Sequence, residues 1–141
     1  MTLPTAQQLA AASARTADMG YIFFVEDEDL IADLMTAVFA RAGYRAIHAC
    51  NGAEAMRLAH EHHNEIALAL VDVCLPDING DELCRKLRLL SPGLPVLLTS
   101  GRDMDCFRTE LEAGGPTAML SKPYRPAELL AQVRAMWPVA A

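Results

Sequence analysis

Positive charge in excess, long apolar runs and paired cysteines are all missing from this 141-residue chain. Lys and Arg number 12 against 18 Asp and Glu, a net charge of −6, and no basic stripe appears. A nucleic-acid surface needs clustered cations facing phosphates, so no direct nucleic-acid contact is expected. The longest apolar stretches run about six residues, far short of the ~20 that a bilayer-spanning helix needs. No membrane insertion is therefore expected. The first residues hold no apolar core of signal-peptide length, since Arg15 and Asp18 interrupt them. Cys50, Cys74, Cys84 and Cys106 make no C-x-x-C pair, which argues against a zinc knuckle or disulfide frame and for reduced thiols in the cytoplasm.

What is present is apolar material in short, regular pieces. At 52% hydrophobic residues the chain can build one sizeable core. Residues 1–19, rich in Ala and Gln with Thr and Ser, read as an N-terminal extension, flexible or partly helical, ahead of a domain over 20–141. From Tyr21 onward, runs of strand length alternate with helical segments. Strands are expected at 21–25, 45–49, 66–71, 95–99 and 117–121. The first helix carries Leu30, Ile31, Leu34, Met35, Val38 and Phe39 at helical spacing and stops at Gly43. The second is capped by Asn51, the third follows the loop 76–80, the fourth spans about 103–113 and the fifth starts near Pro126. Strict alternation with right-handed crossovers implies a doubly wound α/β domain with a five-stranded parallel sheet. The run 66–71 is apolar throughout, as a strand buried on both faces should be.

The polar residues fall at the ends of these runs. Glu26 and Asp27 follow the first strand, Asp72 the third, Ser100 the fourth and Lys122 the fifth. Parallel strands would gather them at one sheet edge, where open α/β folds bind ligands. Neighbouring carboxylates resist joint ionisation unless a cation joins them. The pattern asks for a divalent metal and an anion, with the lysine beside the anion.

The stretch Val71-Asp72-Val73-Cys74-Leu75-Pro76-Asp77-Ile78-Asn79-Gly80, taken with Glu26-Asp27, with Pro95 five residues before Ser100, and with Ser121-Lys122-Pro123, resembles the response-regulator receiver domain of two-component signalling. The resemblance covers about 20–137. It implies the flavodoxin-like (β/α)5 fold with strand order 2-1-3-4-5, the order found in a chemotaxis member of the same family. It also implies that Asp72 is the phosphoacceptor, taking a phosphoryl group from a histidine kinase or histidine phosphotransfer protein. Glu26, Asp27, Asp72 and the backbone carbonyl of Cys74 would hold Mg²⁺ or Mn²⁺. Ser100 and Lys122 would meet the phosphoryl oxygens, although Thr99 could exchange roles with Ser100. A cis Lys122–Pro123 bond would aim the lysine inward.

Cys74 and Arg102 occupy the positions that flank the phosphoryl site in the family and tune its rates. Gly101 would ease movement of the loop after the fourth strand. The family places Tyr or Phe three residues before the lysine, but here Met119 stands there, which puts the usual aromatic readout in doubt. No output domain follows the last helix, which suggests a single-domain receiver working through protein contacts on a downstream partner, a phosphate sink, or a receiver cut from a longer protein. Phosphorylation-dependent dimerisation is also compatible with the resemblance. No enzymatic activity is expected beyond Mg²⁺-dependent self-phosphorylation and self-dephosphorylation. Two alternatives stand beside this: an interaction module not regulated by phosphorylation, and a Mg²⁺-dependent phosphohydrolase. Against the second, Cys74 replaces the acid such enzymes place two residues past the nucleophile. His60, His62 and His63 do not share a helix face and are not expected to form a metal site, and His48 shows no partner.

Overall fold

The computed structural model describes residues 20–101 and 111–138. The expected N-terminal extension, Arg102, Cys106 and most of the helix expected over 103–113 lie outside the described residues. Alternating strands and helices run β1 (Tyr21–Val25), α1 (Asp29–Arg41), β2 (Arg45–Ala49), α2 (Gly52–His62), β3 (Ile66–Asp72), α3 (Gly80–Leu90), β4 (Val96–Ser100), β5 (Thr117–Ser121) and α4 (Pro126–Met136). The five strands pair in parallel in the order β2-β1-β3-β4-β5, as expected.

Strand alternation divides the core in two. Ile22, Phe24, Leu68, Leu70 and Leu97 face α1 and α4, where Met35, Phe39, Leu129 and Val133 close over them. Phe23, Val25, Ala69, Val71 and Leu98 face α2 and α3, with Ala55, Ala59, Leu83 and Leu87. β3 is covered on both sides, so every residue from Ala67 to Asp72 is buried. Each fully buried Leu or Phe stabilises the fold by roughly 1.5–3 kcal/mol relative to an exposed one. That asymmetry, with apolar residues inside on both faces, leaves only the strand ends for polar chemistry.

Local signals set the helix ends. Gly43 adopts φ 88° just past α1, a conformation that glycine enters without penalty. Asn51 caps α2, its side chain accepting from the Glu54 N–H at 2.8 Å.

Two strands shift by one residue. β3 runs on through Asp72, and β4 covers 96–100 and so includes Ser100. Asp72 and Ser100 thus sit inside the ladder, while Glu26, Asp27 and Lys122 lie just past it. The larger correction concerns α1. The expected inward face was too wide: Ala32, Met35 and Phe39 are buried, while Leu30 is 85% and Leu34 62% exposed. Residues 32, 35 and 39 make one sheet-facing stripe, and Leu30 and Leu34 lie round the helix from it.

Candidate functional site

At the carboxyl end of the sheet, Glu26, Asp27 and Asp72 each bring a carboxylate oxygen within 4.8 Å of the others. They arrive there because β1 and β3 are neighbours, paired up to Val25 and Val71, so the residues that follow, Glu26-Asp27 and Asp72, come side by side. Glu26 and Asp72 are buried and Asp27 is exposed. Lys122 comes from the end of β5, its Nζ 2.7 Å from Asp72 Oδ2 and 4.0 Å from Glu26 Oε1. The Lys122–Pro123 bond is cis. The other Asp72 oxygen, Oδ1, accepts from the Cys74 N–H at 3.0 Å, and Glu26 Oε2 accepts from the Glu28 N–H at 3.2 Å.

Burial pushes the Glu26 pKa above its ordinary value, and the neighbouring Asp27 and Asp72 push the same way, against the Glu28 N–H and Lys122. Burial works against the Lys122 ammonium, but the hydrogen bond and charge of Asp72, then the charge of Glu26, more than offset it and raise its pKa. With all four groups ionised the charges sum to −3 + 1 = −2. Hard oxygen donors carrying that surplus suit a divalent cation such as Mg²⁺, which takes carboxylates, carbonyls and waters. The residues present therefore fit the metal.

The other expected site residues are distributed as follows. Ser100 is buried, ends β4, and its carbonyl accepts from the Lys122 N–H at 2.8 Å. Thr99 is in register with Asp72, and alternation sends it to the face of Leu97 while Ser100 falls on the face of Leu98. Met119 is half-buried and packs against the α2/α3 side of the core. Gly101 is exposed, and a Cβ there would meet no atom within 4 Å, so space does not demand glycine at that position. Cys74 exposes its side chain and uses its backbone N–H on Asp72. Beside the acids a cleft of about 420 Å³ is lined by Glu26, Ile31, Leu34, Lys122, Tyr124 and Leu129 among others.

The family model of the response regulator receiver domain matches residues 22–134. The chain belongs to that family. The receiver is 34% identical over 116 residues to the alkaline phosphatase synthesis transcriptional regulatory protein PhoP of Bacillus subtilis, covering 82% of this chain and 47% of that one. It is 30% identical over 115 residues to the sensor kinase CckA of Brucella abortus, covering 82% of this chain but 12% of the kinase. The chain spans about half the length of the transcriptional regulators it matches. Among solved structures, the chemotaxis protein CheY4 of Vibrio cholerae superposes with a TM-score of 0.75 at 25% identity, covering 84% of this chain and 98% of that one. The receiver domain of the hybrid histidine kinase CckA gives 0.70 at 31% identity, with 83% and 98% covered. Receivers are signalling units of two-component systems, generally non-enzymatic, and typically bind Mg²⁺.

Three residues of the receiver's frame escaped the sequence reading. Asp77 accepts from the Gly52 and Ala53 N–H groups at 2.8 and 2.9 Å, joining the loop after Asp72 to the start of α2. Those two bonds hold its carboxyl below the ordinary range. Arg88 is buried on α3 and donates to the carbonyls of Leu94, Leu111 and Pro116 and to Thr117 Oγ1. His48 has the partner it lacked in sequence: its Nε2 lies 2.7 Å from the Glu26 carbonyl oxygen. His62 pairs with Glu65 at 2.9 Å and His63 bonds the His60 carbonyl.

Proposed function

We propose that this receiver is a phosphoacceptor switch in which Asp72 takes a phosphoryl group from a phosphohistidine on a histidine kinase or phosphotransfer protein. The observation that carries the reading is the setting of Asp72, a buried carboxylate held by Lys122 Nζ at 2.7 Å and the Cys74 N–H at 3.0 Å among three acids. An Asp72 oxygen attacks phosphorus, a new O–P bond forms, and the P–N bond breaks with its electron pair returning to the imidazole. The Lys122 ammonium exchanges its contact with the carboxylate for one with a phosphoryl oxygen, and the Ser100 hydroxyl donates to another. Glu26, Asp27, Asp72 and the Cys74 carbonyl would hold Mg²⁺ or Mn²⁺, whose charge, when bound, offsets that of the acids and of the phosphoryl oxygens. Water attack on the aspartyl phosphate later releases inorganic phosphate and restores Asp72.

Signalling then rests on a population shift of the segments after β4 and β5, with Met119 repacking against the α2/α3 core in place of an aromatic ring. Output passes through contacts with a downstream protein. The cytoplasm suits the unpaired thiols of Cys50, Cys74 and Cys84. The test is incubation with Mg²⁺ and a small phosphoramidate. The expected result is a mass gain of one phosphoryl group, absent in Asp72→Asn, and a parent that gains none sinks the reading.

A further inference from the structure

His48 takes no part in the phosphoryl chemistry, yet it is bound to the acidic turn. It lies on the edge strand β2 in register with Phe24, and its ring stacks on Phe24 with centroids 4.9 Å apart and planes 26° from parallel. Any flat ring could supply that stacking. The contact that a Phe could not make is the 2.7 Å one from Nε2 to the Glu26 carbonyl oxygen. A carbonyl oxygen only accepts, so Nε2 carries the hydrogen.

β2 also takes the other side of the same residue, because the Glu26 N–H donates to the Ala49 carbonyl at 3.0 Å. Glu26 is thus held through both backbone groups just where β1 ends. Its carbonyl belongs to the planar unit that joins Glu26 to Asp27, and the orientation of that plane sets how the two residues leave the strand. Both carry carboxylates of the three-acid group.

We propose that His48 is a positioning residue for the cation site, donating to the Glu26 carbonyl so that the Glu26 and Asp27 carboxylates converge on one metal ion. This rests on the reading that those acids hold Mg²⁺. Second partners of this kind orient the groups that ligate a metal and so set its affinity.

The test is a titration with Mg²⁺ alone, followed by amide chemical shifts, on the parent, H48F and H48Q. H48F keeps a stacking ring but loses the donor, and should bind Mg²⁺ about five-fold more weakly, the effect of one lost hydrogen bond. H48Q retains a side-chain N–H and should stay within about two-fold of the parent. A purely structural His48 would lower the urea midpoint of H48F while leaving Mg²⁺ affinity unchanged, and that outcome overturns the proposal. H48Q binding as weakly as H48F overturns it too. A parent with no Mg²⁺ response overturns the metal reading itself, and this inference with it. Should H48F not fold, H48M against H48Q carries the same comparison.

Discussion

Replacing Arg88 by Met should destabilise the receiver by about 3 kcal/mol, a large change for one residue of α3. Arg88 is 8% exposed, and its guanidinium makes four hydrogen bonds, at 3.0, 2.6, 2.8 and 2.9 Å, to three carbonyls and one hydroxyl. Bonds from a charged donor contribute roughly 1.5–3 kcal/mol each. Taking the cation out of water costs several kcal/mol and offsets much of their sum. Met fills the volume of the aliphatic stem, so the loss falls on the carbonyls. Those of Leu111 and Pro116 keep other donors, the Gly114 and Val96 N–H groups, whereas among the described residues no other donor is seen for Leu94 O. For a domain of this size, about 3 kcal/mol lowers the melting temperature by about 10 °C. Urea unfolding with a shared slope measures the difference directly. Arg88→Lys is the informative control. It keeps the charge but replaces a planar fork spanning acceptors 6, 23 and 28 residues away with a single ammonium, so it should cost about 2 kcal/mol or more. Either variant within about 1 kcal/mol of the parent refutes the claim that the fork organises this corner.

Further outcomes follow from other sites. Glu26 has a folded-state pKa above its ordinary 4.5, so its favourable contribution is present at lower pH and is lost as pH rises through the folded value. Glu26→Gln should therefore stabilise the metal-free protein at pH 7 and remove part of the fall in its urea midpoint as pH rises above 4.5; an unchanged slope counts against burial as the cause. Gly80→Ala would place a Cβ 2.6 Å from Val73 Cα and 2.7 Å from the Asp72 carbonyl oxygen, forcing backbone apart. A loss of about 1–3 kcal/mol is expected, with slower phosphoryl uptake by Asp72 in the same preparation. Leu30→Ser and Leu34→Ser should each stay within about 0.5 kcal/mol of the parent, against about 3–5 kcal/mol for Phe39→Ala. Equal losses across the three would contradict the orientation of α1.

The strand-end acids were legible because chemistry and periodicity coincide there. An apolar run such as 66–71 announces a central strand, and the polar residue that follows it has nowhere to go but the sheet edge. The bonds that Arg88 and His48 make were not legible. Each reaches backbone carbonyls, which every residue offers, so no residue type in the sequence marks the partner. α1 failed differently. Helical spacing identifies an apolar face but not the width of it that the sheet can cover, and here full burial is confined to Ala32, Met35 and Phe39 while Leu30 and Leu34 stay exposed.

Asp72 ends the middle strand of five, with β1 on one side and β4 on the other, and its own strand is buried over its last six residues. Lys122 follows β5, which lies at the border of the sheet with β4 as its one neighbour. The two groups that meet at 2.7 Å therefore hang from strands that differ in burial and in number of neighbours. In the proposed switch, charge added to Asp72 would act on a strand buried on both faces, while Lys122 hangs from a strand of which four residues are only half-buried. Displacement must divide in inverse proportion to stiffness. On that proposal the travel would appear at the rim of the sheet, on the β5 side, and not at its centre.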